Sequence, residues 1–332
     1  MKSRIFLKFY LITILLFIAV LCSLMLGFHK FSLIDLYGIL FQNEQSAQRD
    51  VLFNLRIPRT VIALLVGMLL GISGLMIQTI TRNPFASPGI MGINSGASLC
   101  VVCAIVIFKI DGTFMLSMIA FAGAFVIAIM IVAATIIPLR PLNIMELTLF
   151  GASLSALCMA VTQGVLIYNE SAIEQVIYWL SGSVSNRKLT VLHYLWPFMI
   201  IGIVLSIINI KHLNLFNLDD LAMTSIGGNI VKIKLLVMTS VALLSGSAVA
   251  MAGPIAFVGL ITPHITKLMI KSHNHKVMMP ASGLIGAVLL ITSDILSRFI
   301  LYPQELPVGI ATAIIGAPIF FYLILKRKGS LT

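Results

Sequence analysis

Apolar stretches of about 20 residues recur along this chain, and short segments between them carry most of its charge. Each stretch is long enough as a helix to cross a hydrocarbon core of roughly 30 Å. The pattern predicts ten crossings, drawn as Ile5 to Gly27, Thr60 to Thr81, Ile90 to Phe108, Phe114 to Ile137 and Leu147 to Tyr168 in the first half. The second half gives Leu192 to Ile210, Ile233 to Gly253, Ala256 to Ile270, Met278 to Ile300 and Pro307 to Leu325. The eighth is short and follows Gly253-Pro254, so merging it with the seventh gives nine as the rival count. An all-α, polytopic membrane protein is expected.

One connection is unlike the others. Arg82-Asn83-Pro84-Phe85-Ala86-Ser87-Pro88-Gly89-Ile90-Met91-Gly92-Ile93-Asn94-Ser95-Gly96 joins the second and third spans with two prolines and three glycines, which rule out a continuous helix. An irregular backbone at membrane depth is tolerated only against protein or a water-lined cavity. Something passes, or docks, beside this loop.

Composition agrees with the pattern. Of 332 residues, 59% are hydrophobic and only 10% charged, and mean hydropathy is +1.09, against about a quarter charged in soluble domains. A single integral domain over 1–332, with no soluble appendage, is expected. The net charge of +11 reads as topology and anionic-lipid contact, not nucleic-acid binding. With an even number of spans and the N-terminus inside, the cytoplasmic segments hold Lys2, Arg4, Lys8, Arg82, Arg140, Lys211, Lys232, Lys234, Lys267, Lys271, Lys276, Lys326, Arg327 and Lys328. Most acids fall on the other side, so both termini are expected to be cytoplasmic. The first span is too long for a signal peptide and no A-x-A-like site follows it, so it is read as an uncleaved anchor. Cys22, Cys100, Cys103 and Cys158 all fall within spans and are read as small apolar helix residues.

A faint internal echo links Leu64 to Gly74 with Leu243 to Gly253, in spans that cross in opposite directions. Inverted repeats of this kind are common in transporters. Gly67, Gly71 and Gly74 share one helix face and predict close helix packing, with a moving interface as the alternative.

Several motifs then occur in order: Arg56-Ile57-Pro58-Arg59; Ser73-Gly74 with Gln78; Arg82-Asn83-Pro84 through Gly96; Trp179 with Gly182-Ser183; Phe257 to His264; Asp294 with Arg298; Glu305 to Gly309; and Gly316-Ala317-Pro318. Together they resemble the FecCD family, the permease subunits of type II ABC importers for ferric siderophores, haem and cobalamin. The resemblance implies the inverted-repeat type II importer fold and translocation of a ferric siderophore, with haem or cobalamin as alternatives. It implies a separate ABC ATPase dimer, a substrate-binding lipoprotein or periplasmic binding protein, and a second permease copy or paralogue, but no cofactor.

It also implies site residues. Arg56, Arg59 and Arg298 match the arginines that meet acidic residues of the binding protein, a task for exposed, forked cations at the outer mouth. Arginines that merely anchor helix ends are the alternative, and an Asp294–Arg298 pair four residues apart on one face would compete with docking. The segment Leu213 to Gly228 is similar to the coupling helices that seat in the ATPase, giving Leu215, Leu218, Asp220, Ala222 and Gly227 as coupling residues. Asp219 stands where relatives usually carry glycine. Gln78, Asn83, Pro84 and Asn94 are pathway candidates, and Ile144 and Met145 match the cytoplasmic gate, where an apolar seal could act by dewetting. His264, His273 and His275 are not read as a metal site.

Two other classes fit less well. A secondary transporter buries carboxylates near the midplane, and apart from Asp294 the spans hold none. A membrane enzyme would show H-E-x-x-H or G-x-S-x-G, and neither occurs; nor does G-x-x-x-x-G-K-[ST], so any nucleotide is bound by another subunit.

Overall fold

The computed structural model describes residues 2–27, 30–41, 47–136, 144–168, 173–216 and 230–328. Among them the only regular structure is helix. In chain order the helices are α1 Lys2–Met25, α2 Leu33–Phe41, α3 Ala47–Val51, α4 Ile57–Ile80, α5 Ile93–Val106, α6 Thr113–Ile136 and α7 Ile144–Tyr168. Then come α8 Ile173–Leu180, α9 Leu192–Ile208, α10 Ile210–Leu215, α11 Ile230–Ala252, α12 Val258–Ile270, α13 His275–Ile300 and α14 Val308–Lys328. Ten of these coincide with the ten expected crossings. Among the described residues seven apolar helices are long enough to span a bilayer, while α5, α12 and the Val308–Leu323 part of α14 are shorter apolar stretches. α11 and α12 are separate helices, joined by the turn at 253–257.

Several boundaries differ from expectation. A π-helical turn, Leu52–Arg56, joins α3 to α4 without a break, so one helical run of 34 residues extends from Ala47 to Ile80 instead of starting at Thr60. Pro58 does not break this run: it follows directly on the π-helical turn, in which Ile57 N donates to Leu52 O, and the looser π register takes up the missing N–H. Three short helices were not expected. α8 carries Val176 and Trp179 into the core on one face, α2 packs Leu36 and Ile39 against Leu52, and α10 buries Leu213. At six to nine residues they are too short to register as spans.

α4 is the central helix, packed on α11, α12 and α13. Its glycine face explains how closely. A Cβ on Gly67 would lie 2.3 Å from Gly286 O, one on Gly71 2.4 Å from Ser282 O, and one on Gly74 1.9 Å from Gly259 O. Backbone meets backbone at all three levels, and Ser282 Oγ donates to Gly71 O at 2.8 Å. The small-residue stripe is therefore a packing seam.

The echo between spans two and seven has a structural counterpart. Just beyond α4, Arg82 Nε donates to Phe216 O at 3.4 Å, on the segment leading towards α11. At the other end, Ala252 O of α11 accepts from Ser183 N, and Ser185, two residues on, accepts from Arg59 near the start of α4. The two helices run antiparallel. Each is followed by an irregular turn and a short helix, α5 or α12. In each case the residue before the short helix has positive φ: Gly92 at 90° and Phe257 at 66°. For Phe257, whose Cβ makes this backbone costly, the conformation is held by packing against Gly316 and Phe320.

Candidate functional site

The two interrupted hairpins meet. Asn94, in the first turn of α5, donates from Nδ2 to Ile255 O at 3.3 Å, on the turn before α12. Phe320 of α14 lies over both turns, edge-on to Phe85 at 5.5 Å between ring centres and near Phe257 at 6.5 Å. Between them is a half-open cavity of about 290 Å³ whose walls include Ser87, Asn94, Phe257, Leu260 and Phe320. The N-terminal turns of α5 and α12 both border it, as broken helices do at transporter binding sites. Its lining is largely apolar, and Asn94 Oδ1 is buried with no protein partner.

The pathway candidates separate. Asn94 faces this cavity. Asn83 does not: its Oδ1 accepts from Phe85 N at 3.0 Å, closing a local turn that sets the loop's course. Gln78, buried within α4, donates to Leu260 O at 2.9 Å. With Pro84 it borders a second cavity of about 250 Å³, alongside Arg82, Phe216, Lys267, His273 and His275. Ile144 and Met145 open α7, and their side chains lie outside the described residues.

At the opposite end of α4 the three arginines converge, but they are not the exposed cations expected. Arg56, Arg59 and Arg298 are 7%, 9% and 4% exposed. Burial follows from pairing, since an uncompensated charge in the bundle would be costly. Arg59 holds Asp294 through Nε and Nη2 at 2.9 to 3.0 Å and Glu305 Oε2 through Nη1 at 2.6 Å. Arg298 Nη2 meets Asp294 Oδ2 at 2.5 Å, so the pair within α13 forms. Arg298 also donates to Ser23 O, Ser23 Oγ and Leu26 O, tying in the end of α1. Arg56 donates to Leu24 O and Leu26 O and stacks over the Phe31 ring at 5.4 Å. Arg56, Arg59, Arg298 and Glu305, with Tyr178 and Ser185, line a cavity of about 520 Å³.

The roles of Glu305, Ser23 and Phe320 were not read from the sequence. Glu305 is 246 residues from Arg59, and no spacing rule joins them. Among the coupling candidates, Leu215 ends α10 half-buried, while Leu218, Asp220, Ala222 and Gly227 lie outside the described residues.

A bundle of apolar helices, seven of them long enough to span a bilayer, broken at two turns around an apolar cavity and carrying a charge cluster at one end, defines a multi-pass membrane transport permease. Residues 15–326 match the FecCD transport family, and the chain belongs to that family. It is 38% identical over 325 residues to the Fe(3+)-citrate import system permease protein YfmD of Bacillus subtilis (strain 168), covering 97% of this chain and 95% of the relative. It is 33% identical over 316 residues to the ferric enterobactin transport system permease protein FepD of Escherichia coli (strain K12), covering 95% and 93%. Among solved structures it is similar to a metal-chelate type ABC transporter in an inward-facing conformation, with a TM-score of 0.78, 27% identity and coverage of 96% and 98%.

Proposed function

We propose that the chain is the permease subunit of an ATP-driven importer that moves a ferric chelate, a ferric siderophore or Fe(3+)-citrate, across the cytoplasmic membrane. The observation that carries this is whole-length similarity to iron-chelate permeases, joined to a cavity built from the two interrupted hairpins. At about 290 Å³ the cavity is at the small end of ligand sites, too small for a whole chelate. A second permease chain, a copy or a paralogue, supplies the facing wall. The mostly apolar walls bind the cargo weakly, which suits release.

The cluster of Lys8, Arg82, Lys211 and Lys267 lies at the end of the bundle away from Arg59, and by the positive-inside rule that end is cytoplasmic, as are both termini. An ATPase dimer docks there against Leu215, Leu218, Asp220, Ala222 and Gly227, and Ile144 and Met145 close the cytoplasmic exit. On the outer face a binding protein docks over the cavity lined by Arg56, Arg59 and Arg298. Because the guanidinium groups are internally paired, three cations facing two carboxylates leave a net positive field, and docking uses that field more than free arginine forks.

The test is uptake of radiolabelled Fe(3+)-citrate and ferric hydroxamate in a strain lacking this chain, with and without its restoration. Restored, ATP-dependent uptake of either chelate supports the proposal. Restoration of haem or cobalamin uptake alone would move the cargo to those alternatives, and uptake sustained by an ion gradient without ATP would reject it.

A further inference from the structure

His275, the first residue of α13, is buried beside the inner cavity with both ring nitrogens engaged. Nδ1 lies 2.9 Å from Asn214 Oδ1, and Nε2 lies 2.9 Å from Thr79 Oγ1. The backbone N–H of His275 also donates to Asn214 Oδ1 at 2.8 Å, which fixes that atom as an acceptor. Nδ1 therefore carries the ring proton, and Nε2 faces the Thr79 hydroxyl, whose one proton is shared with Leu75 O at 2.8 Å. Asn214 in turn donates from Nδ2 to Asn274 Oδ1, and Asn274 caps α13 by accepting from Lys276 N. One imidazole thus joins α10, α4 and α13.

The location gives this junction a use. Asn214 lies in the last turn of α10, three residues before the segment 217–229 that holds most of the coupling candidates. Thr79 lies in the last turn of α4. Leu213 and Phe216 also bury α10, but apolar contact is non-directional and tolerates sliding or rotation. Hydrogen bonds from a ring of fixed tautomer specify one register of α10 against the two central helices. We infer that His275 is the positioning residue that fixes the membrane end of the coupling segment, so that displacement by the ATPase is delivered to α4 and α13 instead of being lost in local rotation.

This assignment presupposes the ATP-driven permease proposed above, and the test separates the two. The assembled complex of this chain, its partner permease, the ATPase and the binding protein is placed in proteoliposomes, and chelate uptake and ATP hydrolysis are measured in the same vesicles. His275→Ala and Asn214→Ala are expected to lower uptake per ATP by roughly fivefold or more, the lower end of coupling between distant sites. Hydrolysis itself stays within about twofold, because the nucleotide site is on another subunit. His275→Asn places an amide nitrogen where Nδ1 stood and recovers most of the ratio. His275→Gln reaches Thr79 in place of Nε2, leaves Asn214 unheld, and behaves like the alanine variant. If the alanine variant fails to assemble, the Asn and Gln variants alone decide. Wild-type uptake per ATP in His275→Ala, uptake and hydrolysis falling in equal proportion, or equal ratios for Asn and Gln would each overturn the assignment. A wild-type complex that hydrolyses ATP without importing either chelate would instead overturn the permease proposal.

Discussion

Removing the carboxylate of Asp294 is the most severe single perturbation that the charge cluster around Arg59 offers. The residue is 1% exposed and neutralises two guanidinium groups, Arg59 at 2.9 Å and Arg298 at 2.5 Å. At an effective dielectric of about 20, each attraction is of order 4 kcal/mol. Removing the carboxylate forfeits both and also leaves Arg59 and Arg298 repelling each other. Partial compensation remains: Arg59 keeps Glu305, and Arg298 keeps Ser23 O, Ser23 Oγ and Leu26 O. The desolvation penalty of Asp294 itself is also relieved. The balance for Asp294→Ala is a loss of about 3–5 kcal/mol, as for other buried pairs broken on one side.

By the usual scaling for larger domains, that loss lowers the midpoint of thermal unfolding in detergent by roughly 6–20 °C. A cycle isolates the cause. If the loss comes from uncompensated cations, Asp294→Leu combined with Arg298→Met removes one charge of each sign and is less destabilised than Asp294→Leu alone, by about 1–3 kcal/mol of coupling. Strict additivity of the two substitutions, or a midpoint for Asp294→Ala within about 2 °C of wild type, would show that the cluster does not hold α1, α4 and α13 together.

Three further outcomes follow from other contacts. Gly74→Ala forces a methyl to within 1.9 Å of Gly259 O and is expected to destabilise by about 1–3 kcal/mol, whereas Gly164→Ala, with nothing within 4 Å, is neutral or stabilising by up to about 1 kcal/mol; thermal unfolding compares them directly. Asn94→Ala removes the bond to Ile255 O and is expected to lower chelate uptake by about threefold to tenfold, the equivalent of one net hydrogen bond, at unchanged amounts of protein in the membrane. Ser32 and Asp35 form a reciprocal cap on α2, with Ser32 N donating to Asp35 Oδ2 and Asp35 N to Ser32 Oγ. These bonds hold the Asp35 carboxyl below its ordinary value of 3.8, so their contribution is present above that value and is lost as pH falls through the lowered one. Amide exchange in α2 is expected to rise at acid pH in the wild type, and in Asp35→Asn at neutral pH.

The crossings were legible because twenty apolar residues have few alternatives in a chain so poor in charge. The proline- and glycine-rich turn at 82–96 was legible for the same reason: its composition forbids the helix that flanks it. Its twin at 253–257 was harder to see, since Phe257 adopts a positive φ that its residue type does not advertise. The burial of Arg56, Arg59 and Arg298 was missed because a cation near a span end usually reaches water, and these are turned inward by Asp294, Glu305 and the carbonyls at the end of α1. The i,i+4 spacing of Asp294 and Arg298 was the available signal. The His275 junction left none, because Thr79, Asn214 and His275 belong to three helices far apart in sequence.

The two polar junctions occupy opposite ends of the same pair of helices. On α4, Arg59 and Thr79 are 20 residues apart, about 30 Å along the axis; on α13, His275 and Arg298 span about 35 Å. Between those ends the helices touch backbone to backbone at Gly67 with Gly286 and Gly71 with Ser282. No side chain separates them there, so neither can slide past the other without lifting carbonyls off glycines, and α4 with α13 moves as one body. α12 joins the same seam, through Gly74 with Gly259, whereas α5 is connected to α4 by a turn with positive φ at both Arg82 and Gly92. A tilt imposed at the His275 end is therefore expected to be shared by α4, α12 and α13 up to the arginine cluster, so that the cavity widens or narrows only where α5 moves against them.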